Sequence, residues 1–198
     1  MENNLNPIWL IFGWIAFYFF HSLLATLKVK SLFRKRAVSY RLFYTLFSTA
    51  FLGVLIIYGF QFDNKLFESI YIQGLGVLVG LLGLIIILKA FKPYDTSGFL
   101  GLKKEDYSGI IQTGLQGFVR HPLYLGTLLF VLGIFLLFST MGSFILFAVL
   151  VLYLPLGIYL EEQKLIKEFG EEYRTYKKNI PSLFPKVKDW KRFLQGLK

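Results

Sequence analysis

The chain has 198 residues, of which 55% are hydrophobic, 19% aromatic and only 17% charged, with a formal net charge of plus ten and no cysteine. Apolar content this high, gathered into long uninterrupted runs, indicates an all-α integral membrane protein and leaves no room for a separate soluble domain of ordinary size. The lack of cysteine excludes disulfides, thiolate metal ligands and a cysteine nucleophile, and two histidines without clustered carboxylate spacing do not make a dedicated transition-metal site.

Residues 1–7 carry Glu2 and no basic residue, and the apolar run behind them lacks a small-residue cleavage site, so no signal peptide is expected. Ile8 to Leu27 reads instead as the first transmembrane helix. Four more crossings are expected at about 42–60, 71–91, 123–138 and 143–160, followed by a helical cytoplasmic cap over 161–198, the whole forming one domain over 1–198.

Charge orients these crossings. The loop after the first holds Lys28, Lys30, Arg34, Lys35, Arg36 and Arg41 with no acidic residue, and the regions Lys89 to Arg120 and Glu161 to Lys198 also carry a basic excess. The opposite side carries Glu2, Asp63, Lys65 and Glu68. Basic loops stay in the cytoplasm, so the expected topology is N-terminus out and C-terminus in. The expected location is a bacterial cytoplasmic (inner) membrane.

Gly76, Gly80 and Gly83 give the third crossing small residues at helical spacing, which permits close approach of a neighbouring helix. Near the C-terminus, Val187, Trp190, Leu194 and Leu197 form an apolar stripe among Lys186, Lys188, Lys191 and Arg192, suited to the anionic inner leaflet. Membrane lipid thus accounts for the positive balance, and nucleic acid binding is not needed to explain it.

The chemistry concentrates where the fourth crossing begins and the fifth ends. In Arg120-His121-Pro122-Leu123-Tyr124, proline disfavours a helical His121 and suits the first helical position itself, so the fourth helix starts there. Its unpaired amides, its positive dipole end and Arg120 favour a carboxylate or phosphate, and Tyr124 offers a ring or a hydroxyl. An ordinary interfacial cap, with arginine reaching lipid phosphate, fits these residues equally well. Glu161-Glu162 follows the fifth crossing and, beside an anionic leaflet, calls for a cationic partner. Continuation of that helix to Gly170 with glutamate-lysine pairs is the alternative, and both arrangements can hold together. The hairpin makes His121 and Glu161 neighbours in space. An anion-binding helix start, a glutamate, an aromatic face and apolar walls together suit S-adenosylmethionine, which presents a carboxylate, an ammonium, a sulfonium and an adenine.

The run Gly117-Phe118-Val119-Arg120-His121-Pro122-Leu123-Tyr124-Leu125-Gly126, then Glu161-Glu162-x-x-Leu165, Phe169-Gly170-x-x-Tyr173-x-x-Tyr176 and Pro181 to Pro185, resembles the isoprenylcysteine carboxyl methyltransferase and phospholipid methyltransferase superfamily. His21-Ser22-x-x-Ala25, Lys30, Arg41-x-x-Tyr44 and Asp95-x-x-x-Phe99-x-Gly101-Leu102 resemble its methanethiol S-methyltransferase branch. The resemblance implies that His121, Pro122 and Tyr124, with Glu161 and Glu162, hold S-adenosylmethionine, and that Ile110, Ile111 and Gly114 line it. The chain departs from the pattern at Gln116, often aromatic there, and at Gly157, where the isoprenylcysteine enzymes have a substrate-binding arginine. The second departure argues against a prenylcysteine carboxylate as substrate.

Methyl transfer in line from the sulfonium to a small or lipophilic acceptor, most simply a thiol, is the expected activity. Positioning and exclusion of water do most of the work. A thiolate would profit from a nearby cation or base, for which Arg120, His21 and Arg41 are the catalytic candidates, with Asp95 orienting the substrate side. Asp95 also suits a turn in Asp-Thr-Ser-Gly. Three other readings stand beside this one: a lipid methyltransferase, an NADPH-dependent reductase of the sterol reductase type sharing Arg-His-Pro-x-Tyr, and a non-catalytic membrane assembly protein.

Overall fold

The computed structural model describes residues 6–94 and 109–197. Eight α-helices occur among them: α1 Pro7–Ala25, α2 Leu27–Leu32, α3 Ala37–Gly59, α4 Ile70–Phe91, α5 Pro122–Phe138, α6 Met141–Phe169, α7 Glu171–Asn179 and α8 Trp190–Gln195. α1, α3, α4 and α6 are each long and apolar enough to cross a membrane, whereas α5 is a shorter apolar helix of 17 residues. Their outward faces carry large apolar side chains such as Ile57, Leu78 and Leu152 at 68%, 67% and 79% exposure, a surface suited to lipid.

Local chemistry sets the helix ends. Pro7 opens α1 behind an Asn6 side chain that accepts from the Ile8 amide, and Pro122 opens α5 behind a non-helical His121. At the turn between α5 and α6, Ser139 adopts the left-handed conformation, and Thr140 and Ser143 cap each other reciprocally. The loop after α3 docks on this turn through Leu66 N to Ser139 O at 2.7 Å and Lys65 Nζ to Phe138 O at 2.8 Å.

Two boundaries depart from the sequence expectation. α3 begins five residues before position 42, which places Arg41 inside the helix. α6 does not stop at 160 but runs to Phe169 and ends at Gly170, whose φ is +57°. Hydropathy marks where apolar side chains stop, not where the backbone ladder stops.

Glycines permit the closest helix pair. A Cβ on Gly76 would lie 2.6 Å from Leu137 N and one on Gly126 2.9 Å from Gly83 O, so α4 and α5 touch backbone to backbone, as the spacing of Gly76, Gly80 and Gly83 predicts. Gly126 and Gly133 supply the matching face on α5. Gly83, whose Cβ would collide with the backbone of Phe130, is the tightest position of this pair. Gly83→Leu is expected to destabilise the bundle by about 1–3 kcal/mol through overpacking, read as an earlier thermal transition in detergent. Gly74→Leu, into open space, is the control and should leave the transition in place.

Candidate functional site

α5 starts and α6 passes at one end of the bundle, opposite the turn at 139–140, and an ion-pair cluster ties them. Glu162 is buried, with 4% of its surface exposed. Its Oε1 accepts from Arg120 Nη2 at 2.6 Å and Nε at 2.9 Å and lies 3.2 Å from His121 Nε2, while its Oε2 meets Lys177 Nζ at 2.5 Å. Burial alone would raise this carboxyl group, but hydrogen bonds from Lys177, Arg120 and His121 outweigh it and hold the group below the ordinary carboxylate value.

Arg120 is committed further. Its Nη1 donates to the carbonyl oxygens of Lys177, at 3.0 Å, and of Ile180. The backbone joins in, because Arg120 N donates to Pro181 O at 2.9 Å and His121 N to Ser182 O at 3.0 Å. The segment after α7 therefore straps the start of α5 to the end of the bundle.

Glu161 stands differently. Its side chain is 42% exposed, and its Oε2 lies 3.8 Å from His121 Nδ1. The Tyr124 hydroxyl faces this carboxylate, and the Tyr124 ring stacks on His121 with centroids 5.5 Å apart. One glutamate is thus consumed in holding the protein together, and its neighbour keeps a carboxylate facing outward beside an aromatic ring.

The remaining sequence candidates fall around this centre. His21 stacks on Phe17, and the Tyr44 hydroxyl lies 3.0 Å from its ring nitrogens. Arg41 and Lys164 lie by Lys30, which burial and then these neighbouring charges bring down to about 8. Pro122 is buried at the first position of α5. Ile110 and Ile111 are half-buried in the segment leading to a short 3-10 turn, Gly114–Gly117, and Gly114 has φ +63°. That segment lies along α7, where the Tyr176 hydroxyl donates to Gln116 O at 2.6 Å and a Cβ on Gly109 would lie 3.9 Å from Glu172. Asp95 lies outside the described residues.

Several partners escape sequence reasoning. Lys177 completes the Glu162 cluster; its helical register with Tyr173, four residues earlier, is the signal that could have marked it. Tyr153 bonds Ser22 and stacks on Tyr18. Phe193, 1% exposed, packs α8 on Leu115 and Val119, whereas Val187 in the proposed lipid stripe is 90% exposed.

The donor set suits S-adenosylmethionine in part. An accessible carboxylate beside a stacked ring can face a sulfonium or ammonium, and the buried Gln116 Oε1, which has no hydrogen-bond partner, can accept from an amino group. Arg120 has four guanidinium donor contacts to protein acceptors, the Glu162 carboxylate among them, and is thus engaged away from a ligand carboxylate.

Membrane-length helices with an outward apolar surface, closed at one end by a buried ion cluster, define an integral membrane protein with a candidate site at the bundle mouth. The chain belongs to the NnrU protein family, whose model matches residues 9–196. It is 42% identical over 79 residues to methanethiol S-methyltransferase 1 of Bradyrhizobium diazoefficiens, covering 39% of this chain and 25% of that protein. It is 34% identical over 79 residues to protein-S-isoprenylcysteine O-methyltransferase of Schizosaccharomyces pombe, covering 39% and 34%, and 28% identical over 138 residues to methanethiol S-methyltransferase of Crocosphaera subtropica, covering 63% and 50%. The matches thus span a quarter to a half of the length of these relatives. The resemblance read from the motifs is borne out. No solved structure matches the chain.

Proposed function

We propose that this chain is an S-adenosylmethionine-dependent integral membrane methyltransferase, with five crossings, its N-terminus outside and its site on the cytoplasmic side, acting on a thiol. The observation that carries the reading is the division of labour between the two glutamates. Glu162, with Arg120, His121 and Lys177, fixes the start of α5 against α6, and this leaves Glu161 and Tyr124 facing the same space. The named relatives support the reaction class.

S-adenosylmethionine supplies a methyl carbon to which the acceptor sulfur bonds as the sulfonium S–C bond breaks, its electron pair staying on the departing thioether. Glu161 opposes the positive end of the donor, and Tyr124 and His121 give it an aromatic floor. Ile110, Ile111 and Gly114 line its apolar side. Arg120 and Glu162 act as positioning residues. His21 takes the thiol proton, Arg41 supplies a cation near the thiolate, and Asp95 orients the acceptor side. A shared apolar membrane space delivers the acceptor and excludes water.

Calorimetry of the detergent-purified chain with S-adenosylmethionine and, separately, with NADPH tests this reading. Saturable binding of the first alone is expected. Binding of NADPH instead, or of neither at high micromolar concentration, refutes it.

A further inference from the structure

We infer that Tyr153 limits the size of the methyl acceptor, its ring filling, over Gly157, the space through which the acceptor reaches Glu161. The inference rests on the methyltransferase reading above.

Tyr153, Gly157 and Glu161 follow one another at four-residue intervals on α6, so they share one stripe. A Cβ on Gly157 would lie 2.9 Å from Tyr153 Cε1, 3.1 Å from Cζ and 3.3 Å from the hydroxyl oxygen. The ring therefore lies along the helix toward Glu161, and only glycine at 157 leaves it room. Two contacts from α1 pin it there. Ser22 Oγ and the Tyr153 hydroxyl are 2.6 Å apart, and the Tyr18 ring stacks on Tyr153 at 4.0 Å between centroids and 14° between planes. A hydroxyl held this way in an apolar layer does not turn away without losing its partner.

The side chains around the ring are polar at their tips and part-buried, with Tyr18 and Tyr124 also resting on the buried Val131, Leu150 and Leu154. Tyr18, His21, Ser22, Tyr44, Tyr124 and Tyr153 are all half-buried, while Leu152, Leu156 and Tyr159 on the other face of α6 point outward. α1 brings Ser22 and His21, α3 brings Tyr44, α5 brings Tyr124, and Tyr124 has Glu161, Tyr153 and Tyr44 within electrostatic reach. Hydroxyls and an imidazole from four helices converge beside the carboxylate that faces the donor.

Size follows from helix geometry. At a rise of about 1.5 Å per residue, Gly157 lies about 6 Å along the axis from Glu161, so an acceptor meeting the methyl group there has room for roughly one to three carbons before it strikes the Tyr153 ring. Charge follows from the lining. The stripe carries a carboxylate and no cation of its own, so a second carboxylate on the acceptor, brought close to Glu161, would be repelled by it. The fitted acceptor is a short, uncharged alkyl thiol that gives up its proton on arrival.

The test uses the full chain in detergent and straight-chain thiols from ethanethiol to octanethiol. Binding of S-adenosylhomocysteine is measured first, then thiol affinity for the S-adenosylhomocysteine-loaded protein by calorimetry, then methyl transfer from labelled S-adenosylmethionine. The wild type should lose at least tenfold in affinity and in kcat/KM from ethanethiol to hexanethiol. Tyr153→Ala should shift the hexanethiol-to-ethanethiol ratio by at least tenfold toward the longer thiol, with S-adenosylhomocysteine affinity within about twofold, and Tyr153→Phe, which keeps the ring, should keep the wild-type ladder. A merely structural role would lower all thiols alike. If Tyr153→Ala does not fold, Gly157→Ala, which pushes the ring from its seat, must alter the ladder in its place. An unchanged ladder with donor binding intact overturns the Tyr153 assignment alone, whereas loss of donor binding in the wild type overturns the methyltransferase reading and this inference together.

Discussion

Glu162→Ala is expected to destabilise the chain by about 3–5 kcal/mol, the range for breaking a buried ion pair on one side. The substitution leaves Arg120, His121 and Lys177 facing one another without the carboxylate that all three meet. Water cannot readily solvate Arg120 and His121, whose side chains are 8% and 4% exposed, although Lys177, at 43%, can turn to solvent. The thermal transition should fall by on the order of 10 °C for a chain of this size, and a shift within about 1 °C would refute the structural role. Glu162→Gln keeps the volume and should recover part of the loss. The pH dependence has a fixed sign. The Glu162 carboxyl is held below its ordinary value, so its contribution is fully present above the unfolded value, near about 4.3, and fades as pH falls through the depressed folded value. The gap in melting temperature between wild type and Glu162→Gln should therefore narrow as the medium is acidified below that range.

The meeting of 120–124 with 161–162 was legible in the sequence for a physical reason: charged groups at the edge of an apolar layer must be paired, and a hairpin returns the chain to the end it left. Which glutamate does what was not legible. Adjacent positions on a helix differ by about 100° in direction, so burying Glu162 and turning Glu161 outward depends on the phase of α6, and that phase is carried by a helix running on to Phe169. The glycines of α4 announced a close helix neighbour, yet Gly126 and Gly133 show that it is α5, a pairing that spacing on one helix cannot identify. The C-terminal stripe reads as a lipid-facing surface. Its register leaves out Phe193, which faces inward on Leu115, because amphipathic period reveals a face without saying what covers it. Tyr153 was invisible for a similar reason, since a tyrosine among apolar residues looks like any interfacial aromatic until Gly157 and Ser22 give it a place.

Glu161→Ala should separate from Glu162→Ala in both measurements. Glu161 lies 3.8 Å from His121 Nδ1 with its side chain 42% exposed, so its removal breaks no buried network, and the thermal transition should move by less than about 1 kcal/mol of stability. Affinity for S-adenosylmethionine should fall by roughly 10- to 100-fold. That is less than a fully buried charge partner would lose, because water shares the carboxylate. His121→Ala should do both, since the same ring lies against Glu161 through Nδ1 and Glu162 through Nε2. Glu161→Ala with normal donor affinity refutes the site. The same variant with normal affinity and a collapsed melting temperature would show the two glutamates to have exchanged roles. The comparison isolates function from fold because the two carboxylates are adjacent in the chain, and only one of them has its partners already supplied by the protein.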